Sequence, residues 1–224
     1  MSSYRAMIFD IDGTLVDSND AHARAWVRAF QGEGLQVTFE QVRPLIGMGG
    51  DQLVPRVSGI QKGTRAFERL SEGWKQHFQS EELPYLRAQP GARALLLALQ
   101  GRGLKLIAGT SSDEALVEGL LKIAEVQDLL TQHTSASEVE ATKPAPDIVQ
   151  AALKKLGLKA DEVLMVGDTA FDVESAGKTG VQTVLLRCGG TDRAQGAAAV
   201  YDSPQDFLEH LDGSPLGSAD FTQR

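Results

Sequence analysis

Apolar residues recur along the chain in two rhythms. Short runs that end in Asp, Gly, Ser or Thr occupy residues 4–9, 104–108, 163–166 and 181–186, with a weaker run at 198–201. Between them lie stretches with apolar positions at helical spacing. Residues 91–99 open after Pro90 and close before Gly101 and Gly103, and residues 113–123 follow Ser112, a natural N-cap. Residues 147–156 end at Gly157, and residues 170–178 end at Gly180. Proline at the start and glycine past the end are the ordinary punctuation of a helix. Strands alternating with helices of this size predict an α/β fold, a doubly wound parallel sheet with helices on its faces.

Residues 18–88 break that rhythm. Ala25, Trp26, Val27 and Phe30 form one apolar stripe, and Phe67, Leu70, Trp74 and Phe78 form another at helical spacing. Between them, Thr38-Phe39-Glu40-Gln41 reads as a capping box opening a further helix. Pro44 and Pro55 fall inside helical patterns and leave the boundaries there open. No strand is predicted. The expected organisation is a discontinuous core of residues 1–16 and 89–212, an all-helical insertion over residues 17–88, and a Gly/Ser-rich disordered tail over residues 213–224.

Composition narrows the function classes. Of 224 residues, 42% are hydrophobic and 23% charged, ordinary values for a globular chain. A net charge of −8 argues against nucleic-acid binding, which needs basic surface to displace counterions. One cysteine, Cys188, excludes an internal disulfide framework and suits a reducing compartment. The first apolar run is broken by Asp10, so no signal peptide is read, and no run approaches a membrane span. A cytoplasmic protein without membrane or nucleic-acid partners is expected; monomer and dimer are both left open.

The stretch FDIDGTLVDSND, from Phe9 to Asp20, carries the first chemistry. In an extended chain, residues two apart share a face, so Asp10 and Asp12 become close neighbours. Two dehydrated like charges repel unless a cation relieves them or one takes a proton. In an open α/β sheet ligands gather beyond the carboxyl ends of the strands. The second strand delivers Thr110, Ser111 and Ser112 there, the third delivers Asp168 and Asp172, and Lys143 precedes the third in ATKPAPD. Asp17, Ser18 and Asp20 read as turn and helix caps. Taken singly, Thr110, Lys143 and Asp172 would also be structural; their occurrence in order at successive strand ends points to one site.

Those groups suit phosphoryl transfer. Carboxylates from separate strands can hold a hard divalent cation such as Mg²⁺. A hydroxyl at a helix N-terminus is an anion site, and lysine supplies a point charge. One carboxylate is then a candidate nucleophile, giving an aspartyl-phosphate, and the other a candidate acid and base.

Asp10-Ile11-Asp12-Gly13-Thr14, Thr110, Lys143-Pro144 and Gly167-Asp168-Thr169 with Asp172 resemble the four motifs of the haloacid dehalogenase-like hydrolase superfamily. The resemblance spans about residues 4–212. The helical insertion between the first two motifs is similar to the phosphoglycolate phosphatase and β-phosphoglucomutase branch. The resemblance implies a Rossmann-like core with a helical cap, and roles for its residues. Asp10 would be nucleophile and Mg²⁺ ligand; Asp12 would be acid and base, its backbone carbonyl binding the metal. Thr110, Ser111 and Lys143 would hold the phosphoryl group, Asp168 would ligate Mg²⁺, and Asp172 would act from a second layer.

An Asp at position 12 favours phosphate esters over halide or phosphonate substrates within that superfamily. In β-phosphoglucomutases, a Lys and an Arg of the cap loop grip the sugar phosphate; here those positions carry Ile46 and Gly50. Hydrolysis is therefore expected, with a phosphomutase as the alternative in the same branch. A receiver-like phosphoacceptor switch is the alternative of another class. His22 matches a cap-helix histidine of that branch; orienting Asp12, touching substrate and facing solvent all stay open for it. Gly47, Met48, Gly49 and Gly50 are candidates to contact a small phosphate-ester substrate as the cap closes.

Overall fold

The computed structural model describes residues 4–190 and 195–217. Six strands form one parallel sheet: β1 (Ala6–Phe9), β2 (Lys105–Gly109), β3 (His133–Thr134), β4 (Val163–Gly167), β5 (Gln182–Leu186) and β6 (Ala199–Tyr201), in the order β3-β2-β1-β4-β5-β6. β1 pairs with β2 on one side and β4 on the other, so the strand order reverses around it. Residues leaving its carboxyl end therefore enter the crevice where such sheets bind ligands.

The two-residue period is visible in the packing. Met7 and Phe9 of β1 join Leu164 and Val166 of β4 in one buried cluster, while Ala6, Ile8, Val163 and Met165 face the other. Both faces are covered, which is why these strands read as unbroken apolar runs. The strand expectations hold to within two residues, except that β3 was not foreseen: His133 and Thr134 carry no apolar run to signal it.

The segment after β1 holds α1 (Asn19–Gly32), α2 (Phe39–Val42), α3 (Gly50–Ser58) and α4 (Arg65–His77), with a wider π-type turn at Phe78–Glu82. The capping box at Thr38 and Gln41 forms. Its helix stops after four residues, because Pro44 begins a tight turn at Arg43–Leu45. Pro55 lies within α3 and removes one amide from a helix of only nine residues. Trp26, Phe30, Leu53, Phe67 and Leu70 build a cluster of their own. The chain enters and leaves this segment side by side. Val16 bridges Ala88, the amide of Asp17 donates to Arg87 (2.9 Å), and that of Gln89 donates to Leu15 (2.8 Å).

The sheet is flanked by α5 (Ala92–Gly101), α6 (Glu114–Ile123), α7 (Asp147–Leu156), α8 (Ala170–Gly177) and α9 (Pro204–Glu209). Gly157 ends α7 in the left-handed region that favours glycine. Ser112 is not the cap of α6; Asp113 holds that position. Of the tail expected from Gly213, residues 218–224 lie outside the described residues. The part before them differs from the expectation, because Leu216 is fully buried in the core cluster. Among the described residues, no helix is long and apolar enough to cross a membrane.

Candidate active site

Asp10 and Asp12 leave the end of β1 in a tight turn closed by Gly13, whose φ of +78° few other residues adopt. Both side chains are buried, yet they enter different surroundings. The Lys143 ammonium lies 2.6 Å from Oδ1 of Asp10 and 2.8 Å from Oδ1 of Asp172. Oxygens of Asp10, Asp168 and Asp172 all lie within 4.8 Å of one another, and all three residues are buried. Asp12 stands apart. Its Oδ1 accepts from Ser18 (2.7 Å) and lies 2.8 Å from Nε2 of His22, and its Oδ2 accepts from Ser112 (2.6 Å). The Asp12 carboxylate is thus satisfied by hydroxyls and imidazole, and the acidic cluster forms behind Asp10.

The electrostatics follow from that division. Burial pushes the Asp10 carboxyl well up, with Asp172, Asp168 and Asp12 adding to it and Lys143 opposing. Burial, then Asp172, pushes Asp168 up to about 7 against hydrogen bonds from Asn19 and Thr14. For Asp12 burial acts upward too, but His22, Ser112 and Ser18 outweigh it and hold the carboxyl down to about 2. Lys143 is raised despite its burial, because Asp10 and Asp172 favour the charged form. When ionised, three carboxylates against one ammonium leave two negative charges, the complement of one divalent cation. The all-oxygen donor set suits a hard ion.

Thr110 and Ser111 sit beyond β2. The Thr110 hydroxyl oxygen accepts from the Ser112 amide (2.9 Å), and Ser111 Oγ is buried without a partner among the described residues. Asp172 Oδ2 accepts from the amide and hydroxyl of Thr169 (3.0 and 2.6 Å), which fixes it at the start of α8. A cavity of about 440 Å³ opens above these groups, lined by Asp10, Asp12, Thr110, Ser111, Trp26 and Trp74 among others.

The loop of residues 47–50 roofs part of that cavity. Gly47 has φ +106°, and a Cβ there would lie 2.7 Å from the Thr169 side chain. The Gly49 amide donates to the Thr142 hydroxyl (3.0 Å), and that hydroxyl donates to Asp51. A Cβ on Gly50 would approach Trp26 to 3.0 Å. Met48 is buried beside Arg56. His22 is buried, not solvent-facing, and its ring stacks on Phe78 with centroids 4.0 Å apart.

Four contributors escaped the sequence reading. Thr14 donates to Asp168 Oδ1 (3.0 Å), and Asn19 donates to its Oδ2 (2.6 Å) and to the Gly189 carbonyl (3.0 Å). Thr142 holds the loop. Gly189 leaves Asp168 its room, since a Cβ there would fall 1.7 Å from Oδ2. The strand-end rule applied to the run at 181–186 would have pointed to Gly189. Ser18, read as a cap, does hold the N-cap position of α1, but its hydroxyl donates to Asp12 and makes no capping bond.

Residues 7–186 match the family model described as haloacid dehalogenase-like hydrolase. The chain is 33% identical over 213 residues to a phosphoglycolate phosphatase of Rhodospirillum rubrum, covering 88% of this chain and 87% of that protein. It is 30% identical over 211 residues to a phosphoglycolate phosphatase of Yersinia pestis, covering 92% and 90%. The crystal structure of a hydrolase from Pseudomonas syringae superposes with a TM-score of 0.86 at 32% identity, over 93% of this chain and 98% of that one. Motifs, sheet order and relatives agree, and the chain belongs to the haloacid dehalogenase-like hydrolase family, as one of its phosphatases.

Proposed function

We propose that this chain is a Mg²⁺-dependent phosphatase of a small phosphorylated metabolite, of the phosphoglycolate or sugar-phosphate type, working through an aspartyl-phosphate on Asp10. The observation that carries this reading is the buried cluster of Asp10, Asp168 and Asp172 with Lys143 at its edge. The cluster fits a divalent ion in donor type and in charge; Asp10, Asp168 and the Asp12 carbonyl would hold it, with Asp172 behind them. When bound, Mg²⁺ supplies positive charge to the phosphoryl oxygens and to the nucleophilic carboxylate.

The residues divide the remaining work. A carboxylate oxygen of Asp10 attacks phosphorus as the ester P–O bond breaks, and the leaving oxygen takes a proton at Asp12. Water then attacks phosphorus, gives its proton to Asp12, and the Asp10–phosphorus bond opens to release inorganic phosphate. Asp12 rests as a carboxylate, held so by His22, Ser18 and Ser112. Its contact with His22 gives His22 the role of orienting Asp12. Thr110 and Ser111 face the phosphoryl oxygens, and the unpartnered Ser111 hydroxyl is available to one. Lys143 steadies Asp10 and offsets charge as the phosphoryl arrives.

Hydrolysis is favoured over mutase chemistry because Ile46 and Gly50 stand where the mutases carry Lys and Arg, the cations of this cavity being Lys62 and Lys75 on another part of its wall. The switch reading is not retained for a member of a hydrolase family. A panel of phosphorylated metabolites, scored for phosphate release with and without Mg²⁺ and for isomerised product, tests the proposal. Release that requires Mg²⁺ and yields no isomer is expected; isomerisation without release, or release indifferent to the ion, overturns it.

A further inference from the structure

We propose that Asn19 is a positioning residue that locks Asp168 for ion binding and ties the state of the ion site to the first turn of α1. The inference rests on reading the acidic cluster as a divalent-ion site. Asn19 opens α1 and is 2% exposed. Both of its Nδ2 hydrogens are engaged, one by Asp168 Oδ2 at 2.6 Å and one by the Gly189 carbonyl at 3.0 Å. Two acceptors fix the amide plane. Thr14 holds the other oxygen of Asp168, so the carboxylate is clamped at both ends.

The clamp leaves little slack. A Cβ on Gly13 would fall 2.2 Å from both Asn19 Nδ2 and Asp168 Oδ2, and one on Gly189 would fall 1.7 Å from Asp168 Oδ2. The Gly189 carbonyl also accepts from Arg43 at 2.6 Å, so a second residue of the helical segment converges on the same point. An ion that demands fixed ligand geometry, as Mg²⁺ does, gains from a carboxylate that need not be ordered on binding.

A second observation points outward. Asn19 Oδ1 is buried and has no partner among the described residues. A buried amide oxygen needs a donor. The described residues supply none, so the oxygen is left for a donor that the protein does not provide, and a water held by a bound ion would be of the right chemistry.

Position along α1 gives the coupling. Asn19 and His22 stand three residues apart, so they share a helix face. Asn19 holds Asp168, while His22 and Ser18 hold Asp12. One helical turn therefore spans both acidic centres, and its imidazole stacks on Phe78 and Trp74. Trp74 in turn stacks on Trp26, with centroids 5.2 Å apart.

The full-length protein without substrate tests this. Mg²⁺ and, separately, Mn²⁺ are titrated by calorimetry and by tryptophan fluorescence into wild type, Asn19→Leu, Asn19→Ala and Asp168→Asn, with circular dichroism as the check on folding. Loss of the amide is expected to weaken ion affinity about 10- to 100-fold, the usual effect of removing such a support. It should also shrink the fluorescence response at saturating ion. Wild-type affinity and response in a folded Asn19 variant would overturn the proposal while leaving the ion site standing. No binding by wild type, or undiminished binding by Asp168→Asn, would instead remove the ion site itself, and the proposal with it. Should Asn19→Leu fail to fold, the smaller Asn19→Ala carries the comparison.

Discussion

Lys143 is 1% exposed and spends its charge on Asp10 and Asp172, within a pocket of carboxylates that would otherwise repel. A lysine in that place makes the nucleophile proposed at position 10 dependent on its neighbours for charge, and not for shape. Asp10→Asn keeps the volume and removes the attacking oxygen. Phosphate release should fall by about a thousandfold or more, the scale seen when a nucleophile is lost, with an unchanged circular dichroism spectrum. Substantial residual turnover would take the role from Asp10. Cys188 gives a pH-dependent test. Burial, then the charge of Asp168, pushes its thiol up to about 12, so it stays protonated through pH 9. A thiol reagent at pH 8 should react slowly with the native protein and fast after denaturation; equal rates would contradict the burial. At this scale the sequence was legible where acidic, hydroxyl and basic residues followed strand ends. The partners of Thr14, Asn19 and Thr142 were not, because a hydroxyl or amide beside a motif does not reveal which distant group it will meet.

The helices show what periodicity can and cannot place. The stripes containing Trp26 and Trp74 became α1 and α4 because apolar residues at helical spacing need one shared face to bury. The loop between α2 and α3 was legible as glycine-rich and as a candidate substrate contact, but its course was not. That course depends on backbone shape, with Gly47 in a conformation strained for any other residue and pressed against Thr169. Gly47→Ala should cost about 1–3 kcal/mol in urea unfolding. It should also raise KM more than it lowers kcat, since the loop lines the cavity while the carboxylates lie below it. A silent substitution would mean that the loop does not need its observed course. The strand β3 marks the opposite limit. Two residues paired with Ala108 and Gly109 are positioned by the sheet and not by their own sequence.

Across the whole molecule, the alternation of strands and helices foretold the doubly wound sheet, and the charge of −8 is in keeping with the divalent ion proposed for the acidic cluster. Removing divalent ions with EDTA should lower the thermal midpoint, and Mg²⁺ at a hundredfold excess over Kd should restore about 2–3 kcal/mol. A midpoint indifferent to both would argue against an ion at the carboxylates. Strand order was the part that no single run could reveal, because it depends on which neighbours β1 selects. The paired crossing at Val16 and Ala88 has a consequence for how such a molecule can be taken apart. The two chain segments already lie within hydrogen-bonding distance, so a chain cut of residues 18–86 and rejoined through an Asn-Gly turn should keep the pairing of Val16 with Ala88. The shortened chain should keep a parallel-sheet signature in circular dichroism and lose turnover of metabolite esters. The same cut removes Ala21, Ala25 and Phe78 from the buried cluster that covers β1, so a loss of stability should accompany it.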